Sequence, residues 1–263
     1  MRRQALSTFA LRPAFAFQWS RRERSKRKLW LSYRGYELLS GRDSTAAFEF
    51  DVVATSTLGE PARARILALF RASYREANAA YLERSFAGLR FIATATSADG
   101  LAGFALGDMR IMDLPRLPQQ AVALAGMCCV DTGSRRHGLF RELELRAFMA
   151  AGVAFGPRVL SCGRLAHPAS FRTMTSNPTH VPKRHTRPTP WQREIGAIIA
   201  QAYGVHGFDP ETFVCPGSGI PIGYPRIDMD VRPEEWDVFA PVNRDRGDSL
   251  LGLCWFPDAP QGW

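Results

Sequence analysis

The stretch Val130-Asp131-Thr132-Gly133-Ser134-Arg135-Arg136-His137-Gly138-Leu139-Phe140 decides how this chain folds. Ahead of it, Ala121–Val130 is a run of ten apolar residues, the pattern of a strand covered on both faces. Behind it, Leu139, Phe140, Leu143, Ala147 and Phe148 mark a helical stripe, which Gly152 can terminate. A strand, a short polar turn and a helix in that order expose the unpaired amides of a helix N-terminus. The positive end of the helix dipole, roughly half an elementary charge, points the same way. Gly133 and Gly138 let the backbone approach a ligand closely, and Arg135 and Arg136 add positive charge. The combination suits a diphosphate. The same residues also suit an ordinary strand-to-helix turn with two solvated arginines.

Working outward, residues 46–56 alternate and then run apolar, which predicts a strand. Pro61 opens a helix in which Ile66, Leu67, Phe70 and Tyr74 share one face. A second short helix is expected over about 78–87, carrying Tyr81, Leu82 and Phe86. Leu89–Thr96 and Leu101–Arg110 read as a hairpin around Ser97-Ala98-Asp99-Gly100. Pro115–Gln120 reads as a loop. Beyond the decisive helix come a strand at about Arg158–Leu165 and a loop over 176–190 rich in Pro, Thr and basic residues. Thr189-Pro190-Trp191-Gln192 has the pattern of a capping box and starts a helix with Ile195, Ile198, Ile199 and Ala202, ended by Gly204. After the Gly/Pro loop Pro216–Pro225, Ile227, Met229 and Val231 alternate as in a half-exposed strand. One or two helical turns over Pro233–Phe239 and a last apolar strand, Leu250–Phe256, complete the chain. The expected fold class is α/β with a mixed, mostly antiparallel sheet and flanking helices.

With 263 residues, 46% hydrophobic and 22% charged, the composition excludes collagen, a coiled coil and a disordered chain. The longest apolar run is about half of the roughly 20 residues that a transmembrane helix needs. Net charge is +9, but residues 1–28 carry nine Lys or Arg against Glu23 alone, so the remainder is nearly neutral. Residues 1–45 are therefore expected to be a basic, disordered arm, and 46–263 the working domain, with an insertion at about 176–225. The arm lacks the apolar stretch and cleavage site of a secretory signal. Nucleic-acid or membrane contact is the lesser reading for the arm, and no nucleic acid is expected for the folded part. The five cysteines Cys128, Cys129, Cys162, Cys215 and Cys254 form no Cys-x-x-Cys pair and fit buried thiols in a reducing, cytoplasmic compartment. His180 and His185 lack the paired cysteines of a zinc finger, and no metal is expected. No Gly-x-x-x-x-Gly-Lys-Ser/Thr sequence is present for a nucleotide P-loop. Gly217–Gly223 holds Pro221 with no helix after it, unlike a dinucleotide loop.

Val130–Phe140 resembles the acyl-CoA-binding motif of the GNAT superfamily of N-acyltransferases, Gln/Arg-x-x-Gly-x-Gly/Ala between a strand and a long helix. Arg135 matches its first position and Gly138 its first glycine, while Phe140 stands where Gly or Ala is usual. A bulky residue there is expected to point into the helix packing. The order of elements over about 46–175 matches as well. The resemblance implies that amides from Arg135, Arg136, His137, Gly138, Leu139 and Phe140 hold the CoA diphosphate, and that the strand end Cys128, Cys129 and Val130 pairs with the pantetheine arm. It implies acyl transfer, expected to be acetyl transfer, from acyl-CoA to a small-molecule or peptide amine by direct attack, with a backbone N–H on the oxyanion. The alternatives are a catalytically inactive CoA-binding protein and an enzyme like the long-chain N-acyl amino acid synthases.

The family's usual tyrosine on the helix after the next strand has no counterpart in His167–Met174. His167 is the candidate for moving protons near neutral pH, with Asp131 and Glu49 as weaker relays. Cys128 and Cys129 are read as packing rather than as nucleophiles. Trp191, Trp236, Trp255 and Trp263 are read as core and edge packing, with an aromatic acceptor pocket as the alternative.

Overall fold

The computed structural model describes residues 48–154, 156–221, 223–225 and 230–263. The expected arm over 1–45 and most of the expected strand around Ile227 and Met229 lie outside the described residues. The strands are β1 (Glu49–Ala54), β2 (Tyr74–Arg75), β3 (Phe91–Ser97), β4 (Gly100–Leu114), β5 (Leu117–Val130), β6 (Val159–Leu165), β7 (Val214–Cys215), β8 (Tyr224–Pro225) and β9 (Ser249–Phe256). The helices are α1 (Glu60–Ser73), α2 (Ala79–Gly88), α3 (Leu139–Met149), α4 (Pro168–Thr175) and α5 (Pro190–Ala202). A seven-stranded sheet runs in the order β1-β3-β4-β5-β6-β9-β7, and β2 pairs with β8 in a separate ribbon. Every neighbouring pair in the large sheet is antiparallel except β5–β6. This is the mixed, mostly antiparallel sheet with flanking helices that the sequence implied.

The local signals act as expected where they are self-contained. Thr189 Oγ1 accepts from the Gln192 amide at 3.2 Å, and Gln192 Oε1 accepts from the Thr189 amide at 2.9 Å, closing the capping box of α5. Asn78 caps α2 by accepting from the Tyr81 amide at 3.0 Å. Ile66 and Phe70 of α1 are buried, but Tyr74 lies just past the helix, in β2. The loop expected over Pro115–Gln120 shrinks to the turn Pro115-Arg116, because β4 runs to Leu114 and β5 begins at Leu117. Asp113 stabilises that turn by accepting from both the amide and the side chain of Gln119, at 2.9 and 3.1 Å.

Small residues set the layer spacing. A Cβ on Gly107 would meet Ala147 and Phe148 at 3.0 Å, so α3 lies directly on β4. A Cβ on Gly163 or Gly252 would meet Met174 at 3.2 or 2.5 Å, so α4 lies on β6 and β9. On the opposite face, Val122 and Leu124 of β5 and Leu160 and Cys162 of β6 share a core with α1, α2 and α5.

The feature that shapes the sheet is an irregularity in β5. Ala105 pairs with Cys128, but Gly107 pairs with Ala125, so Gly126 and Met127 together face Leu106. An extra residue of this kind bends a strand and increases its twist. The parallel pairing with β6 ends at the same level, at Ala125 opposite Gly163. Beyond it, β5 and β6 part. Gly126 has no room for a side chain: a Cβ would sit 2.3 Å from Leu89 Cδ1 and 2.7 Å from Leu106 Cβ. Gly126→Val should therefore lower unfolding free energy by about 1–3 kcal/mol through overpacking. Chemical denaturation reads this as a reduced midpoint, and an unchanged midpoint would contradict the packing described here.

Candidate ligand cleft at the parting of the sheet

The cleft has one wall in the loop between β5 and α3. Asp131 accepts from the Gly133 amide at 2.8 Å and caps the short 3-10 turn Thr132–Ser134. Arg136 then adopts φ 69°, unusual for a residue with a side chain, and Gly138 adopts φ 75°. Gly138 is the N-cap of α3, and among the described residues no side chain caps it. The first helical bond runs from the Glu142 amide to Gly138 O at 3.2 Å. Leu139, 1% exposed, anchors the turn in the core. The amides of Gly138 and Phe140 precede that bond and belong to the unpaired set of any helix start. Arg136 and His137 are exposed beside them. Arg135 is tied back, donating from Nε to Val130 O at 3.3 Å.

Phe140 departs from expectation. It is 37% exposed and does not enter the helix packing, because the buried stripe of α3 runs through Leu139, Leu143, Ala147 and Phe148.

The other wall is the edge of β5 past the point where β6 leaves it. Cys128 and Val130 pack toward Leu139 and Leu143 of α3, while Cys129 joins the core on the other face. Burial pushes the Cys128 thiol well above its usual range, and pushes Cys129 up to about 11. Neither is a thiolate near neutral pH, in keeping with packing rather than nucleophilic roles.

Two tyrosines that sequence reasoning missed as functional groups reach this edge. Tyr74 donates from its hydroxyl to Cys128 O at 2.8 Å. The Tyr203 hydroxyl lies 2.9 Å from Ala125 O and 3.0 Å from Cys162 O, spanning the point where the strands part. Burial raises both phenol pKa values well above the ordinary range, so both are hydroxyl donors at neutral pH. Periodicity placed Tyr74 on a helical face, and Tyr203 stands 78 residues from Ala125 in the chain, so neither contact left a local signal.

His167 is the N-cap of α4, its Nδ1 accepting from the Ala169 amide at 3.2 Å. Its ring meets Trp236 edge-on, with centroids 5.1 Å apart. Trp236, Phe239, Val242 and Arg244 line a cavity of about 360 Å³, so one of the four tryptophans does border a pocket. The buried Trp191 and Trp255 each meet the partly buried Trp263 edge-on. Glu49 is exposed on β1, with β3 and β4 between it and β5, and Asp131 is occupied as a cap. The structure does not bring these two carboxylates together with His167.

No family model matches the chain, and no curated protein matches it. Solved structures do. A GNAT family N-acetyltransferase (YhbS) from Escherichia coli in complex with CoA is 20% identical over 48% of this chain and 66% of that one, with a TM-score of 0.34. The ribosomal-protein-S18-alanine N-acetyltransferase from Escherichia coli is 11% identical over 82% of this chain and 99% of that one, with a TM-score of 0.38. An aminoglycoside acetyltransferase from an uncultured soil metagenomic sample, in complex with trehalose, is 14% identical over 49% and 84%, with a TM-score of 0.33.

Partial burial, then the positive charges of Arg244 and Arg172, lower the His167 pKa from its ordinary 6.5. The unfolded chain therefore takes up this proton at a higher pH than the folded one. The stability that His167 contributes is present above pH 6.5 and is lost as the pH falls through its folded pKa. Urea midpoints should fall between about pH 7.5 and about pH 5.5, and His167→Gln should flatten part of that slope. An NMR titration placing His167 at or above 6.5 would contradict this environment.

Proposed function

We propose that the chain is an acyl-CoA-dependent N-acyltransferase, with acetyl the favoured acyl group and a small-molecule or peptide amine as acceptor. The observation that carries the reading is the uncapped N-terminus of α3 beginning directly beside the strand edge that the β5 bulge has parted from β6. The residues fit CoA chemistry. Gly138 and Phe140 offer amides, Leu139 fixes the turn, and Arg136 and His137 lie exposed next to them. Arg135 holds the loop on Val130. Cys128, Cys129 and Val130 offer strand edge, and although Tyr74 occupies Cys128 O, a carbonyl oxygen has a second lone pair.

CoA thioesters bring an activated acyl carbon. The protein's part is to position the amine and take up its proton. The amine nitrogen forms the new bond to that carbon, the carbon–sulfur bond breaks, and CoA leaves as the thiol, one amine proton going to sulfur. His167, neutral at pH 7, is the residue proposed to accept the proton of the incoming ammonium. Tyr203 at the apex of the gap favours a short acyl chain over a long one. Binding without turnover is the second reading, favoured by the commitment of His167 Nδ1 to capping α4.

Calorimetric titration with CoA should show saturable binding that weakens as salt rises. Arg136→Glu should weaken it about tenfold, the equivalent of roughly 1.4 kcal/mol. Incubation with acetyl-CoA and a panel of amines should release free thiol above the protein-free rate. No CoA binding at millimolar concentration would overturn the proposal, and binding without thiol release would select the second reading.

A further inference from the structure

The arginine at the mouth of the gap has no counter-ion among the described residues. Arg164 is the first residue of β6 past the last paired position, Gly163 opposite Ala125. Side chains alternate along a strand, so Arg164 shares the face of Leu160 and Cys162, the side covered by α1, α2 and α5 rather than by α3. Its direct partners are neutral. Nε donates to Ser249 Oγ at 3.0 Å, and the guanidinium carbon lies 5.9 Å from the Tyr81 ring centre. Tyr81 lies close enough to both Tyr74 and Tyr203 to act on their phenols electrostatically. Three tyrosines and one arginine thus converge where the sheet opens.

Among the described residues Arg164 forms no ion pair. The nearby buried carboxylate, Asp248, is already matched. It pairs with Arg246 at 2.5 Å and accepts from the amides of Gly217 and Asn243 at 2.7 and 3.2 Å. A part-buried guanidinium is costly without an anion, and its planar fork suits a carboxylate. The buried Tyr74 and Tyr203 phenols bring no negative charge near neutral pH.

The geometry points to Arg164 as the anchor for a carboxylate on the acceptor, so that the acceptor is an amine that also carries a carboxylate, the chemistry of an amino acid or of a peptide with an acidic group. The inference rests on the acyl-transfer reading for the identity of the occupant. It places the acceptor on the face opposite α3, leaving the α3 side of the gap for the thioester. The anchor acts on binding and orientation, and the bond changes are those of the transfer described above.

The test uses the full chain and matched pairs of probes: phenylalanine with phenethylamine, leucine with isopentylamine, and alanine with ethylamine. Direct binding is measured by NMR titration without acyl-CoA. At least one amino acid should bind about tenfold or more tightly than its decarboxylated partner. Arg164→Gln should bring that ratio close to one, and Arg164→Lys should restore part of it, with thermal midpoints confirming that both variants fold. Equal binding within every pair, a ratio unchanged in Arg164→Gln, or no amino-acid binding at all would overturn the assignment. Thiol release from acetyl-CoA is read separately. Amino acids that bind without thiol release would contradict the transfer reading and leave the anchor standing. Release with plain amines, indifferent to Arg164→Gln, would contradict the anchor and leave transfer standing.

Discussion

One surplus residue in β5 organises the molecule. Because Gly126 and Met127 together face Leu106, the strand turns away from β6 after Ala125, and a sheet that is otherwise continuous opens at one point. Leu89 and Leu106 fill the space where any other side chain at 126 would sit, so the bend is packed in place from below. The opening lies between the carboxyl ends of two parallel strands, the region where α/β sheets present ligand sites. The loop to α3 leaves from one side of it and the loop to α4 from the other.

The two faces of the opening carry different chemistry. On the α3 side stand the helix N-terminus, Arg136 and His137, a setting for negative charge spread over a diphosphate. On the other side Tyr74 and Tyr203 reach the edge of β5, and Arg164 lies against Tyr81 and Ser249. The Tyr203 hydroxyl bridges the two strands at the apex of the gap.

What the sequence showed and what it hid divide by range. The strand, turn and helix from 121 to 149 were readable because apolar periodicity and the glycine at 138 act locally. The box at Thr189 and Gln192 was readable for the same reason. The extension of the β4–β5 hairpin through 117–120 was not, since it depends on Asp113 holding Gln119 and on Arg116 adopting φ 66°. The exposure of Phe140 was missed because a stripe counted by spacing does not separate Leu139 from its neighbour one position on. Tyr203 and Arg164 gained meaning only when folding brought Ala125 and Gly163 side by side.

The most direct test of this account is an amide-resolved NMR titration of the full chain with CoA. The largest shifts are expected on Gly138 and Phe140 at the start of α3, with smaller ones along Cys128–Val130, and the Gly138 shift should saturate in step with them. Shifts confined to other surfaces, or none at these amides at saturating CoA, would contradict it.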